Sequence, residues 1–117
     1  MDDILYFISE FIEKSRQERW NYLASGKWDK FVDKFHGLEK HLNEKCSLVE
    51  KNAVERVNEI IEQKRIKRGT YVSLYAQISL MEPLNISKAE DDSLIICKEN
   101  NIAFFFHHEG WIWICES

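Results

Sequence analysis

The sequence predicts an α+β domain in which amino-terminal helices pack on one face of a carboxy-terminal, mainly antiparallel sheet of about four strands. Apolar residues recur at helical spacing through the first half of the chain, and short apolar runs separated by asparagine and glycine follow Gly69. With 117 residues and no low-complexity linker, the chain is expected to form one domain, residues 1–117, which is helical over 1–68 and strand-rich over 69–117.

Three main helices follow from the apolar periodicity of the first half. The first runs to about Arg16, and a short helical or turn segment around Trp20 comes after it. The second spans about residues 28–42. The third begins near Val54 and is expected to stop at Gly69, because cations in a last turn followed by glycine are typical of a helix end.

The strands are predicted from runs of β-forming residues after Gly69. They occupy residues 71–78, 94–98, 102–107 and 111–115. Pro83 prevents a continuous central strand in the segment between the first two, where Ser87 and Glu90 are the expected cap and capping-box partner of a short helix. Side chains alternate across a sheet, so residues 104–106 should place phenylalanine rings on both faces. A face that the helices leave uncovered would form an interaction surface.

The two halves of the chain differ in charge. Residues 70–117 carry seven acidic side chains and two basic ones, whereas residues 51–69 carry six basic and three acidic. Such a negative segment favours a basic partner. The net charge of −4 argues against direct binding of nucleic acid.

A membrane partner and a secreted location are also not expected. The apolar runs are far shorter than the roughly 20 residues that span a bilayer, and the polar face of the first helix is mainly acidic. The start of the chain, Met1-Asp2-Asp3, is acidic where a secretory signal is basic. These features predict a cytoplasmic protein.

Cysteines and histidines give no predicted metal site, cofactor or catalytic centre. The three cysteines are expected to be reduced and inert, although Cys97 and Cys115 lie on strands that could be neighbours and could pair under oxidation. The segment His107-His108-Glu109 is interpreted as a strand end and turn and not as a metal or acid–base site, because adjacent residues on a strand point to opposite faces and the two imidazoles could share a metal only by leaving strand geometry. His36 and His41 are five apart on a helix and are interpreted as independent surface residues.

Two segments resemble a family of small uncharacterised bacterial proteins. Residues 11–20 (FIEKSRQERW), with Lys30-Phe31 and Phe35-His36, are similar to the opening of that family, and SLIIC at 93–97, IAFFF at 102–106 and Glu109 are similar to its closing strands. The family has no assigned catalytic residues. As a class, the chain also resembles the immunity proteins of bacterial toxin systems, including contact-dependent inhibition.

The resemblance to immunity proteins implies a non-catalytic module that neutralises a cognate toxin domain, such as a nuclease, through an acidic surface. The candidate contact residues are Glu82, Glu90, Asp91, Asp92 and Glu109, with Trp111 and Trp113 as apolar anchors. One alternative is an enzyme or ligand-binding protein with an aromatic pocket containing Tyr71, Tyr75, His107 and His108. Another is a regulatory subunit that forms a homodimer through a sheet edge, so the protein could be a monomer or a homodimer.

Overall fold

The structure, a computed structural model, describes residues 2–75 and 77–117. The α-helices are α1 (Asp2–Phe11), α2 (Gln17–Gly26), α3 (Trp28–Asp33) and α4 (Ala53–Lys64). The strands are β1 (Cys46–Val49), β2 (Gly69–Ser73), β3 (Gln77–Met81), β4 (Ser93–Cys97), β5 (Ile102–Phe106) and β6 (Ile112–Glu116). Short 3-10 segments lie at Lys14–Arg16, Lys34–His41, Ile86–Lys88 and Lys98–Asn100.

The strands form one sheet in the order β1-β6-β5-β4-β2-β3, with every neighbouring pair antiparallel. This confirms the α+β class, but the sheet has six strands instead of about four. One extra strand, β1, lies in the half predicted to be helical. The other arises because residues 71–78 are not one strand: a turn at Leu74 and Tyr75 separates β2 from β3, and Ala76 lies outside the described residues.

Helices cover both faces of the sheet, so the prediction of a single covered face was wrong. On the first face, α1, α2 and α3 pack against alternate strand residues such as Leu94 and Phe105. On the second face, α4 packs against Ile95, Phe104 and Phe106. The predicted distribution of the three phenylalanine rings between the two faces is confirmed. α4 thus covers the central strands of the second face, whereas Ile78 and Leu80 on the edge strand β3 remain exposed.

The end of α4 differs from the prediction. Arg65 ends the helix in the left-handed conformation, with φ at 53°, and the Ile66 N–H donates to the Ile61 carbonyl at 2.9 Å. Gly69 instead begins β2, where a Cβ atom would lie 2.8 Å from Ile95 Cγ2. Glycine is therefore needed at this position for close packing between strands.

The first half of the chain forms more helical elements, and shorter ones, than the apolar periodicity predicted. The first predicted helix divides into α1 and a 3-10 segment, and the short element around Trp20 is the ten-residue helix α2. Trp20 is only 2% exposed and packs edge-to-face on Phe31 at a centroid distance of 5.7 Å. Its indole N–H donates to His41 Nδ1 at 2.9 Å. His41 is therefore a half-buried hydrogen-bond partner of the core and was wrongly interpreted as a surface residue.

The connection from β3 to β4 contains a short 3-10 turn close to the predicted helix. Its cap is Asn85, whose side-chain Oδ1 accepts from the Ser87 N–H at 3.1 Å, so Ser87 is not the N-cap. Pro83 follows β3 and lies outside every strand, as predicted.

The cysteine arrangement also differs from the predicted one. Cys97 pairs in register with Ile102 and faces α4, whereas Cys115 belongs to the core on the other face. A Cys97–Cys115 pair is therefore not possible in this fold. Cys115 lies directly opposite Cys46 on the neighbouring strand β1.

Candidate functional site

The loops at one end of the sheet bring together most of the predicted contact residues. The register pairs Val72 with Leu94 and Ser93 with Phe106, so the turn after β2, the loop before β4 and the loop after β5 meet at the same end. We call this end the acidic rim, and it comprises residues 74–75, 89–92 and 107–111. Within the described ranges, no helix is long and apolar enough to cross a membrane.

One indole ring and three imidazole rings stack on one another at the acidic rim. Trp111 stacks on His107 at a centroid distance of 4.9 Å, and His107 stacks on His108 at 4.0 Å. His108 in turn stacks on His36, which comes from the 3-10 segment at Lys34–His41, at 4.3 Å. β5 ends at Phe106, so His107 lies just after the strand that was predicted to include it, and His108 and Glu109 form a turn, as predicted.

Asp92 joins two of these histidines. Its Oδ1 lies 3.0 Å from His108 Nδ1, and its Oδ2 lies 2.9 Å from His36 Nδ1. Burial raises the pKa of Asp92, but the hydrogen bonds from His108 and His36 outweigh this effect and hold the pKa below its usual value. The same hydrogen bond raises the pKa of His108 above its usual value. The carboxylate is therefore ionised, and its hydrogen bond favours a proton on His108 Nδ1.

His107 is buried and held by contacts at both ring nitrogens. Its Nδ1 accepts the Glu109 backbone N–H at 3.0 Å, so the proton of the neutral ring is on Nε2. Nε2 lies 3.3 Å from Glu39 Oε2, a buried oxygen with no well-aligned hydrogen bond among the described residues. These contacts hold the His107 ring in position, and His108 stacks on that ring.

The predicted acidic contacts divide between the two ends of the sheet. Glu90, Asp91 and Glu109 are exposed on the acidic rim, and none forms an ion pair within residues 2–75 and 77–117. Asp92 lies on the rim but is bound to histidine. Glu82 follows β3 at the opposite end, so it does not share a surface with the other four.

The two predicted tryptophan anchors have different environments. Trp111 is half-buried in the ring stack of the acidic rim. Trp113 lies within β6 and packs against the helical core, with its indole nitrogen buried. The rim carries a more exposed aromatic side chain, Tyr75, which is 81% exposed in the turn after β2.

At the opposite end of the sheet, basic residues at the end of α4 and just after it pair with the carboxylates. Arg68 lies 3.0 Å from Glu99 and 3.9 Å from Glu82, and Lys64 lies 2.6 Å from Glu116. At this end of the sheet, basic residues from 51–69 therefore pair with acidic residues from 70–117. The excess of acidic side chains remains at the acidic rim.

Of the four residues of the predicted aromatic pocket, His107 and His108 stack on each other, but Tyr71 lies on the opposite face of the sheet from His107. Tyr71 is buried on the α4 face, where its hydroxyl accepts the Glu90 N–H at 2.8 Å, whereas His107 packs near Phe105 on the other face. A cleft of about 210 Å³ lies elsewhere and is lined by residues that include Asp3, Arg68 and Thr70. Larger clefts of about 340–550 Å³ are lined by other residues, such as Tyr6, Glu13 and Tyr22, and by none of the four predicted pocket residues.

Sequence reasoning missed the cluster of His36, Asp92 and His108. These residues are separated by 56 and 16 positions along the chain, and no local spacing pattern links them. Only the packing of the Lys34–His41 segment over the end of β5 brings His36 to the rim.

The fold and its rim define a small α+β domain with one uncompensated acidic end. No protein-family model matches the chain, and no solved structure matches it. The sequence is similar to translation initiation factor 2 subunit alpha from Sulfurisphaera tokodaii, with 31% identity over 98 residues that cover 75% of this chain. The match covers 35% of that protein, so this chain spans about a third of its relative's length.

Proposed function

We propose that this protein is a non-catalytic binding module, and specifically an immunity protein that neutralises a cognate bacterial toxin domain with a basic surface. The observation that supports this most directly is the unequal compensation of charge. The carboxylates at one end of the sheet are paired with Arg68 and Lys64, whereas Glu90, Asp91 and Glu109 at the acidic rim have no basic partner in the described part of the chain.

Unpaired exposed carboxylates suit recognition of a cationic protein. Their field attracts an oppositely charged surface and raises the association rate at low ionic strength. Tyr75 and the half-buried Trp111 lie at the same end and add aromatic side chains of the type that dominates protein interfaces. The carboxylates of the acidic rim would thus speed the encounter with a basic partner, and its aromatic side chains would add apolar contact area in the complex.

If a large toxin-delivery protein with a variable C-terminal domain is encoded immediately upstream, the test is association with that domain. The wild-type chain should form a stable complex at micromolar concentration, and Asp91→Lys with Glu109→Lys should lower the association rate at low salt at least about tenfold. High salt should reduce this difference, because it screens exposed charges. Absence of a wild-type complex would refute the immunity function.

A matched control changes the same charge at the opposite end of the sheet. Glu82→Lys with Glu99→Lys alters the net charge equally, at positions that are paired with Arg68. This variant should retain association within about threefold of the wild-type rate if the rim is the contact surface. Equal slowing by both double variants would show a general effect of net charge instead of a contact at the rim.

A second candidate is a role in translation initiation, which the similarity to translation initiation factor 2 subunit alpha favours. Under this candidate, the endogenous protein should co-sediment with ribosomal particles from a lysate. Its confinement to the ribosome-free fractions would exclude the role.

The outer edge of β3 supports the alternative of a homodimeric regulatory subunit. β3 is the last strand of the sheet, and Leu80 on it is 66% exposed. Such an edge can pair with a second copy. Sedimentation analysis should then show a dimer that Leu80→Lys converts to monomer, whereas a wild-type monomer at high concentration would reject this alternative.

A further inference from the structure

Three potential metal ligands converge on the surface of the acidic rim. One ring nitrogen of His36, one carboxylate oxygen of Asp92 and one ring nitrogen of His108 all lie within 4.8 Å of one another. They come from three separate segments: the 3-10 turn after α3, the loop before β4 and the loop after β5. Tertiary packing of three segments therefore brings the three ligands together, and they do not lie on a single flexible loop.

The surroundings hold two of the three ligands in place. The Asp92 side chain is only 19% exposed, and its backbone N–H donates to the Phe106 carbonyl at 2.6 Å. His108 is stacked between the buried His107 and His36. His36, with 74% of its side chain exposed, can move toward an ion. Because Asp92 and His108 are already held in place, the entropy cost of binding an ion is lower. A movement of the His36 side chain would complete the set of three protein ligands.

The ligand chemistry identifies the class of ion. Two imidazole nitrogens and one carboxylate suit Zn²⁺ and neighbouring divalent transition metals, whereas Ca²⁺ and Mg²⁺ prefer oxygen ligands alone. Ligands of a tetrahedral zinc ion are roughly 3.3 Å apart, since each lies about 2.0–2.2 Å from the metal. The present Nδ1–oxygen distances of 2.9 and 3.0 Å are close to that spacing.

We propose that His36, Asp92 and His108 form a binding site for a divalent transition-metal ion such as Zn²⁺. On binding, the ion replaces the two hydrogen bonds between the Nδ1 atoms and the carboxylate. Each Nδ1 proton is exchanged through solvent, and both imidazoles bind the ion as neutral rings that carry their proton on Nε2. Water completes the coordination from the exposed side. The nearby unpaired carboxylates Asp91 and Glu109 favour the approach of a cation. This proposal does not depend on the identity of a protein partner.

The test is calorimetric titration of the full chain, made without a histidine tag, with Zn²⁺. We expect saturable binding of one ion per chain, and His36→Gln and His108→Gln should each weaken the affinity at least about tenfold. Asp91→Asn is the matched control, because it removes a neighbouring carboxylate without removing a ligand, and its affinity should stay within about threefold of wild type. No saturable binding at millimolar Zn²⁺ would overturn the proposal.

A measurement on the wild-type chain makes the test independent of how the variants fold. In NMR spectra, Zn²⁺ should shift the imidazole signals of His36 and His108 and leave those of His41 in place. Co²⁺ should give a visible absorption band that the His36→Gln variant loses. Zinc binding that leaves both imidazole signals unchanged, such as binding by the thiols, would also refute this site.

Discussion

The hydrogen bond between Trp20 and His41 should contribute measurably to stability. Trp20 is 2% exposed, and its N–H has His41 Nδ1 as acceptor at 2.9 Å. His41→Phe keeps an aromatic ring beside the indole but removes the acceptor. A buried donor left without a partner costs about 1–3 kcal/mol, so the free energy of unfolding should fall by that amount. For a chain of this size, the melting temperature should fall by about 4 °C for each kcal/mol.

A double-mutant cycle separates the hydrogen bond from changes in packing. Trp20→Phe removes the donor, so His41→Phe should cost less in that background, with a coupling energy of at least about 1 kcal/mol. Lys40→Ala, at the exposed neighbouring position, should change stability by less than about 0.5 kcal/mol. Urea unfolding monitored by circular dichroism gives all four corners of the cycle. A coupling below about 0.5 kcal/mol would refute the reasoning.

The same variant should alter the dependence of stability on pH. Burial, and then the nearby charge of Arg16, lower the pKa of His41 below its usual 6.5. The folded state then binds this proton less well than the unfolded state. The contribution of neutral His41 is therefore complete above pH 6.5 and is lost as the pH falls from there toward the folded pKa. As the pH falls through that range, the free energy of unfolding of the wild type should therefore approach that of His41→Phe.

Two further predictions concern close packing and the thiols. Gly69→Ala should lower the free energy of unfolding by about 1–3 kcal/mol, because the new Cβ would overlap the adjacent strand, and a loss below about 0.5 kcal/mol in urea unfolding would contradict this. In a timed alkylation followed by mass spectrometry, the half-buried Cys46 should react first. Burial raises the pKa of Cys97 to about 12, and burial together with its contact with Cys46 raises that of Cys115, so modification of either before Cys46 would refute the order.

The sequence predicted the fold class because strong periodicity marks large elements. The apolar faces of α1 and α4 and the runs at 93–97 and 102–106 indicated helices and strands correctly. β1 was missed because it has four residues within a helical context. β3 was missed because Leu74 and Tyr75 suit a strand as well as a turn, and neither glycine nor asparagine marks the break.

The candidate site was only partly predictable for a different reason. Composition showed that acidic residues concentrate after Gly69, and the turn at 108–110 was identified from its glycine. Which carboxylates remain unpaired depends on where Arg68 and Lys64 lie in three dimensions. The contact of His36 with Asp92 likewise depends on how the helical layer packs over the sheet, and local sequence patterns do not encode that arrangement.

The position of β1 has a consequence for how the molecule folds. Cys46 in β1 lies opposite Cys115 in β6, a separation of 69 residues along the chain, whereas β4, β5 and β6 pair with strands nearby in sequence. Closing so long a loop is entropically costly and slow relative to forming local hairpins. β1 therefore has no strand to pair with until β6 has been synthesised, and a fragment that ends before Ile112 would leave both β1 and β5 with an open edge.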